Sequence, residues 1–237
     1  MTGMIMLIVV NHLTRMKAGY FCVAGINKST NTHVRPVLKY GSLSTELLAC
    51  SESLYNIASL VDLGKVKHIG QNPEIEDHIF YPVNACLVRN MGQKEFWELI
   101  NNVSKENLTE IFGPELEQHG KHCVVKCGKG EASLGCISKF TDLNLYINKY
   151  DKLRIRCSDG TFSADLSVTD LRLCESDHIT PKSNKVKEVA KRIKSGEKVV
   201  LSVGLTRPWQ KQDDEEPFHW LQVNNIHLEN KPAWRLE

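Results

Sequence analysis

The sequence has no apolar run near the ~18 residues that a membrane-spanning helix requires, so no span is expected. It has no GxxxxGKS/T loop, no GxSxG, no HExxH and no dinucleotide-type glycine fingerprint. Those gaps remove the phosphate cradle of P-loop enzymes, the nucleophile elbow, the helical zinc-protease pair and the Rossmann turn. There is no CxxC, the knuckle that makes a structural zinc signature strong. Charge imbalance is also missing: the formal net charge is +2, so any attraction to nucleic acid must come from a local patch. The first apolar run, Met4–Val10, is too short for a signal peptide and lacks a basic flank.

What is present describes an ordinary globular chain, 41% hydrophobic and 24% charged. Its 237 residues fit one large domain or two small ones and can bury a core without staples. Eight cysteines are scattered, several inside apolar strands (Cys22, Cys86, Cys157, Cys174). That is how a reduced, cytoplasmic protein uses cysteine.

Strands dominate the pattern. Met4–Val10, Gly19–Ile26, His33–Leu38, Val61–Ile69 and Phe80–Val88 read as strands, with Asn11–Lys17 a polar loop and Pro36 hinting at an edge or strand end. Ser44–Leu60 reads as a loosely periodic helix, and Gln93–Val103 and Lys105–Phe112 as helices, the second capped by Ser104. Leu143–Ile147, Leu153–Cys157 and Thr161–Val168 follow as strands, the last two joined through the Asp159-Gly160 turn, and Leu171–Cys174 continues β. Ser183–Ser195 is the clearest helix, closed by Gly196, before strands at Lys198–Val203 and Phe218–Leu228. Short strands with helices between groups of them argue for small barrels over a doubly wound sheet.

One phrase occurs twice. Met6-Leu-Ile-Val-Val-Asn-His-Leu-Thr-Arg15 is matched by Val199-Val-Leu-Ser-Val-Gly-Leu-Thr-Arg207. Each is followed by a polar loop and another apolar strand, Tyr20–Ile26 and Phe218–Val223. Repetition of strand, loop and strand implies two related β units.

These residues, with Val34-Arg-Pro-Val37, Gly204-Leu-Thr-Arg-Pro-Trp209 and His219-Trp-Leu-Gln-Val-Asn224, resemble the dual OB-containing domain family at both ends of the chain. The resemblance implies two OB-type barrels in one chain, a setting in prokaryotic conflict and defence systems, and a nucleic-acid-binding role. It implies no catalytic activity, and the cysteine-rich middle departs from it.

The Thr-Arg pairs place Thr14, Arg15, Thr206 and Arg207 at equivalent strand exits, with Arg35 a third guanidinium near the first pair. A hydroxyl beside a guanidinium suits a phosphate; the plainer alternative is loop anchoring within the fold. Trp209 suits base stacking or, more plainly, plugging a barrel end. The run Asp213–Glu216 beside it opposes phosphate unless the loop folds away. The helix around Lys187, Lys191, Arg192 and Lys194 offers a cationic face opposite Val186, Val189 and Ile193, either a phosphate track or a solvated surface. His119, His122, Cys123, Cys127 and Cys136 are zinc-capable types at loose spacings, and alternating apolar neighbours favour a plain strand. Asn11-His12 and His219 sit near the loop mouths, and Glu74, Glu76 and Asp77 form a carboxylate group that a surface loop explains equally well.

The expectation is a mostly β protein with inserted helices (α+β): two OB-like small β-barrels packed together. Residues 1–120 would form an N-terminal barrel with helical insertions, and 121–237 a C-terminal barrel with the basic helix. The expected role is a non-catalytic nucleic-acid-binding module beside a separate effector protein, with no cofactor, no bound metal and no membrane partner. The rivals are an enzyme acting on nucleic acid or nucleotides and a protein–protein adaptor.

Overall fold

The opening strand does not stop where its apolar residues stop. In the computed structural model, which describes residues 5–17, 19–48, 54–212 and 214–236, β1 (Ile5–Arg15) runs straight through Asn11, His12, Leu13 and Thr14. The expected loop at 11–17 is therefore mostly strand, and those four residues are buried. Both faces of the strand are covered, one by its own barrel and the other by the second half of the chain, so its polar side chains must find partners inside the protein.

The first sheet adds β2 (Tyr20–Asn27), β3 (His33–Val37), β4 (Leu43–Ser44), β5 (Ser59–Lys65), β6 (Lys67–His68), β7 (Asp77–Ile79) and β8 (Cys86–Asn90). Its order is β6-β7-β3-β2-β1-β5-β8, with β4 against β2. Helix α1 (Gln93–Val103) seals it by burying Phe96 and Ile100. Helix α2 (Thr109–Phe112) leads into the second sheet: β9 (Glu117–His119), β10 (His122–Lys126), β11 (Leu134–Ile137), β12 (Thr141–Ile147), β13 (Leu153–Ser158), β14 (Ser163–Val168), β15 (Val199–Leu205) and β16 (Phe218–Leu228). This sheet runs β11-β15-β16-β14-β13-β12, with β10 bridging β16 and β9. Helix α3 (Ser183–Lys194) sinks Val186, Val189 and Ile193 into the second core. The result is mostly β with inserted helices, two curled OB-like barrels packed together.

Several elements differ from their sequence reading. The helix expected at 44–60 is replaced by β4, a single 3₁₀ turn at Thr45–Leu48 and the start of β5; residues 49–53 lie outside the described set. Gly64, at φ 66°, bends the chain near the end of β5, and the Asp62 carboxylate accepts its N–H at 2.7 Å. Pro82, which lacks an N–H, opens a 3₁₀ turn where an unbroken strand was expected. The second helix shrinks to Thr109–Phe112, and its capping side chain is Asn107, which accepts the Glu110 N–H at 2.9 Å. Ser104 instead ends α1. Leu171–Leu173 is a 3₁₀ turn capped by Asp170, not a strand. Pro36 pairs with β7 beyond the point where β3 leaves β2, as a residue without a donor must.

The two copies of the repeated phrase become the hairpins β1–β2 and β15–β16, and these face each other across the seam between the barrels. Each hairpin carries a bulge there. Asn11 is the extra residue of β1, between Val10↔Gly25 and His12↔Ala24. Asn224 is the extra residue of β16, between Asn225↔Ser202 and Val223↔Val203. A bulge breaks the alternation of side chains and turns neighbouring residues toward one side. Asn225 uses this to accept the Leu13 N–H at 2.7 Å and donate to the Leu13 carbonyl at 3.2 Å, standing in for a missing strand neighbour. Beside it, the Asp170 carboxylate takes both Arg172 Nε and Nη2 and the Ile226 N–H; Arg172 also reaches the Ile226 and Trp234 carbonyls. All of these polar groups are buried, so each bond is expensive to leave unmade.

Asn225→Ala strips two backbone groups of their partners and is expected to destabilise the fold by about 2–5 kcal/mol, read as a lowered urea midpoint at unchanged m value. The seam histidines add a pH dependence. Burial holds His33 down at about 4 and His227 at about 3, and lowers His12 well below its ordinary value. Unfolded, each takes its proton near pH ~6.5. Stability is then full above about pH 6.5 and falls toward pH 4, by about 1.4 kcal/mol per pH unit for each histidine that refuses its proton. Urea titrations across that range check it.

Candidate nucleic-acid interface

One strand exit and β3 bring two guanidinium groups together, those of Arg207 and Arg35, but onto a carboxylate of the fold. Arg35, on β3 and 5% exposed, places Nε 2.5 Å from Asp77 Oδ1. Arg207, leaving β15 in the other barrel, places Nη2 2.5 Å from Asp77 Oδ2 and Nη1 3.2 Å from Glu74. A phosphate clamp needs Arg35 open to solvent, and burial in this pair prevents that. Thr14 is buried, and the Thr206 hydroxyl accepts the Trp220 N–H at 2.9 Å, so neither hydroxyl faces outward. Arg15 differs. Its backbone N–H bonds Thr169, and its half-exposed guanidinium has no ion partner among the described residues. Burial raises the nearby Cys174 thiol to about 11, against the opposing charges of Arg15 and Lys182, which puts Arg15 near the start of α3.

The carboxylate group is dispersed into structural work. Asp77 and Glu74 serve Arg35 and Arg207, while Glu76 accepts the Ser133 hydroxyl and the Ser133 and Leu134 N–H groups at 2.7–3.0 Å.

The outward surface of the second barrel is of another kind. Trp209 is 57% exposed, and its ring lies 6.1 Å from that of Trp220, whose Nε1 donates to the Trp209 carbonyl. The Lys211 ammonium sits 3.3 Å from the Trp220 ring centre, with His119, His122 and Phe218 around the same indole. Alternation in β12 and β13 continues this surface: Leu145, Leu153 and Ile155 point into the core, whereas Tyr146, Arg154 and Arg156 point out. Arg156 lies 5.1 Å over the Tyr146 ring, and Asp165 takes the Tyr146 hydroxyl and Arg154 Nε. Burial first, then the charges of Lys211 and Arg154, lower the His122 pKa, so these cations share one neighbourhood. The acidic run folds away in part: Asp214 pairs with His119 at 3.2 Å and Glu216 with Lys126 at 2.8 Å. Asp213 lies outside the described residues. Of these residues the sequence points to Trp209 for stacking and to His119 and His122 only as zinc-capable types; the period-2 pattern Arg154-Ile-Arg156 is the available signal for the rest.

Helix α3 packs its apolar stripe inward and exposes Lys187, Lys191 and Lys194, none with an ion partner among the described residues. Arg192 is held by Glu197 at 2.6 Å.

The zinc-capable residues noted from the sequence do not assemble. His119 and His122 pack on Trp220, Cys123 is in the core, and Cys127 bonds the Pro217 carbonyl. Cys136 lies instead in the seam with His12 and His33, their ligand atoms all within 4.8 Å of one another. Distance along the chain hid that grouping.

The sequence profile of the dual OB-containing domain matches residues 6–226. Among solved structures, the crystal structure of the p204 HINb domain shares 10% identity over 93% of this chain and 97% of that one, with a TM-score of 0.35. The crystal structure of the tetrameric p202 HIN2 shares 6% identity over 93% and 92%, with a TM-score of 0.31. No curated protein matches the chain.

Asp77→Asn removes the charge that neutralises a buried guanidinium and is expected to cost about 3–5 kcal/mol of stability. Arg207→Ala leaves the Arg35–Asp77 pair intact and, since its side chain is 53% exposed, should cost about 1 kcal/mol or less. Urea denaturation of both variants checks the order.

Proposed function

The chain belongs to the dual OB-containing domain family, and from that premise we propose that it is a non-catalytic nucleic-acid-binding module that presents single strands to a separate effector. One observation carries the reading: Trp209, Lys211, His122, Arg154, Tyr146 and Arg156 interleave aromatic and cationic groups across one outer sheet surface. OB barrels use such sheet faces for oligonucleotides, stacking bases on aromatic rings and tracking the backbone with cations. Trp209 stacks a base; Lys211 and Arg156 meet phosphates, and Arg154, held by Asp165 and Ser167, braces the surface beneath them. Arg15, Lys187, Lys191 and Lys194 widen the field from the side of α3. Arg35 and Arg207 act indirectly, by fixing the barrels to each other, and Thr14 and Thr206 fix the strand exits.

Apart from His119, the surface falls within the unit we assign to residues 121–237. Our reading sets the module in the cytoplasm of a prokaryote, within a defence system, on the strength of the resemblance in the repeated hairpins.

Binding of short single- and double-stranded DNA and RNA, followed by fluorescence anisotropy at several salt concentrations, tests the proposal. Trp209→Ala is expected to lose about 1–3 kcal/mol of affinity for a single strand, roughly 5- to 150-fold. Arg156→Gln should reduce the slope of log K against log salt by about 0.7. Absence of binding at low salt, or a Trp209→Ala variant that binds like the parent, would overturn it.

A further inference from the structure

The seam between the barrels contains a set of metal-ligand atoms with no account in the fold. His12 comes from the bulge of β1, His33 from β3 and Cys136 from β11, with their ligand atoms within 4.8 Å of one another. His33 Nε2 and Cys136 Sγ are 3.8 Å apart. Around a tetrahedral zinc ion, with bonds of about 2.1 Å to nitrogen and about 2.3 Å to sulfur, those donors would stand about 3.6 Å apart. The other separations, within 4.8 Å, must close by up to about 1 Å for all three donors to reach one ion.

The hydrogen bonding of the cluster is incomplete. His12 Nε2 and Asn11 Oδ1 are buried and have no partner among the described residues. The Asn11 amide has two hydrogens but three acceptors around its nitrogen: His33 Nε2 at 3.2 Å, Cys136 Sγ at 3.3 Å and Ser202 Oγ at 3.3 Å. Orphaned buried polar atoms oppose folding, and an ion is one of the few things that satisfies an imidazole nitrogen in such a place.

An outer shell already surrounds the three donors. His12 Nδ1 lies 3.0 Å from the Asn224 side-chain amide; with that amide turned to present its oxygen, Nδ1–H donates to it and Nε2 keeps its lone pair for the ion. Asn11 Nδ2 and Ser202 Oγ, at 3.3 and 3.6 Å, are placed to donate to a Cys136 thiolate. Ser202 is itself fixed by His227 at 3.0 Å. Supports of this kind set ligand orientation and basicity in metal centres. A cavity of about 420 Å³, lined by His33, Cys136, Asn102, Lys105 and Glu110 among others, reaches the cluster from outside. It gives an ion a way in and leaves a fourth position for water or an exogenous ligand.

We propose that His12, His33 and Cys136 form a zinc site at the junction of the two barrels, with its fourth coordination position open to this cavity. Two imidazoles and a thiolate are borderline-soft donors that suit zinc, and three protein ligands with one open position is the arrangement of exchangeable sites. On binding, the Cys136 S–H gives its proton to the buffer and the sulfur lone pair bonds the ion; no electron is transferred. Because ligands come from β1 and β3 on one side and β11 on the other, the ion ties one barrel to the other.

The test uses the full chain without nucleic acid, so its outcome is separable from the binding role proposed above. Cobalt(II) added to chelator-treated protein is expected to bind one per chain, with visible d–d bands of a tetrahedral site and a near-ultraviolet thiolate charge-transfer band. Zinc should displace it and raise the Tm. Cys136→Ser should abolish the charge-transfer band, whereas Cys86→Ser and Cys127→Ser should keep it. Ser202→Ala should weaken zinc about 10- to 100-fold in competition with a chromophoric chelator. Should Cys136→Ser fail to fold, His33→Ala and the wild-type competition carry the test. Failure of wild-type protein to take up stoichiometric metal, or a charge-transfer band that survives Cys136→Ser, would overturn the site.

Discussion

Two strands of this protein are buried on both faces yet carry polar side chains, and that constraint governs the rest of the structure. β1 and β16 each meet their own barrel on one side and the other barrel on the opposite side. A strand in that position would ordinarily be uniformly apolar. Here each carries a bulge, at Asn11 and at Asn224, and the bulges turn amides and imidazoles into the seam. Asn225 then supplies the hydrogen bonds that a neighbouring backbone would have given Leu13. Apolar packing alone would let two curved sheets slide; a buried side chain that must satisfy one particular backbone group admits only one register.

The same demand explains where charge is used. Arg35, Arg207, Glu74, Glu76, Asp77, Asp170 and Arg172 all close hydrogen bonds in or near the seam. The Arg35–Asp77 and Arg172–Asp170 pairs are buried and are poor general-purpose binding groups, because releasing either partner leaves a buried charge uncompensated. Cations that reach solvent include Arg156 on the outer sheet, Lys211 over Trp220, the half-exposed Arg207, and Lys187, Lys191 and Lys194 on α3. With a formal charge of +2, the chain has little general field, so this partition decides which surface can attract an anion.

The elements legible in the sequence were those set by local physics. Both copies of the Leu-Thr-Arg hairpin, the stripe of α3 closed by Gly196, α1 with Phe96 and Ile100 inward, and the Asp159-Gly160 turn all emerge from periodicity and turn residues. What was not legible depended on partners far along the chain. Asn11 to Thr14 look like a loop until Asn224 and Asn225, more than two hundred positions away, cover them. Arg35 and Arg207 look like free guanidiniums until Asp77 is placed between them. Cys136 seemed to belong with His119 and His122, whose sequence neighbourhood it shares, but strand order puts it beside His12 and His33. The Ser44–Leu60 segment failed for the opposite reason: its apolar residues fit a helix only loosely, and Tyr55, Ile57 and Ala58 are buried in the first core on the way into β5.

The two hairpins share a phrase, but they differ at the positions where they meet. Asn11 and His12 of the first copy correspond to Val203 and Gly204 of the second. That exchange is complementary. A side chain at 204 would place its Cβ 2.5 Å from the Asn224 side-chain amide, the group that orients His12. The missing side chain in one copy is thus the space in which the polar cluster of the other is organised. A symmetric pair would have put two imidazoles into one dry volume, each opposing protonation of the other, with no room for the Asn224 amide. Divergence at this one point turns a repeated β unit into an asymmetric junction, with His12 contributed by one hairpin and the supports Ser202 and Asn224 by the other.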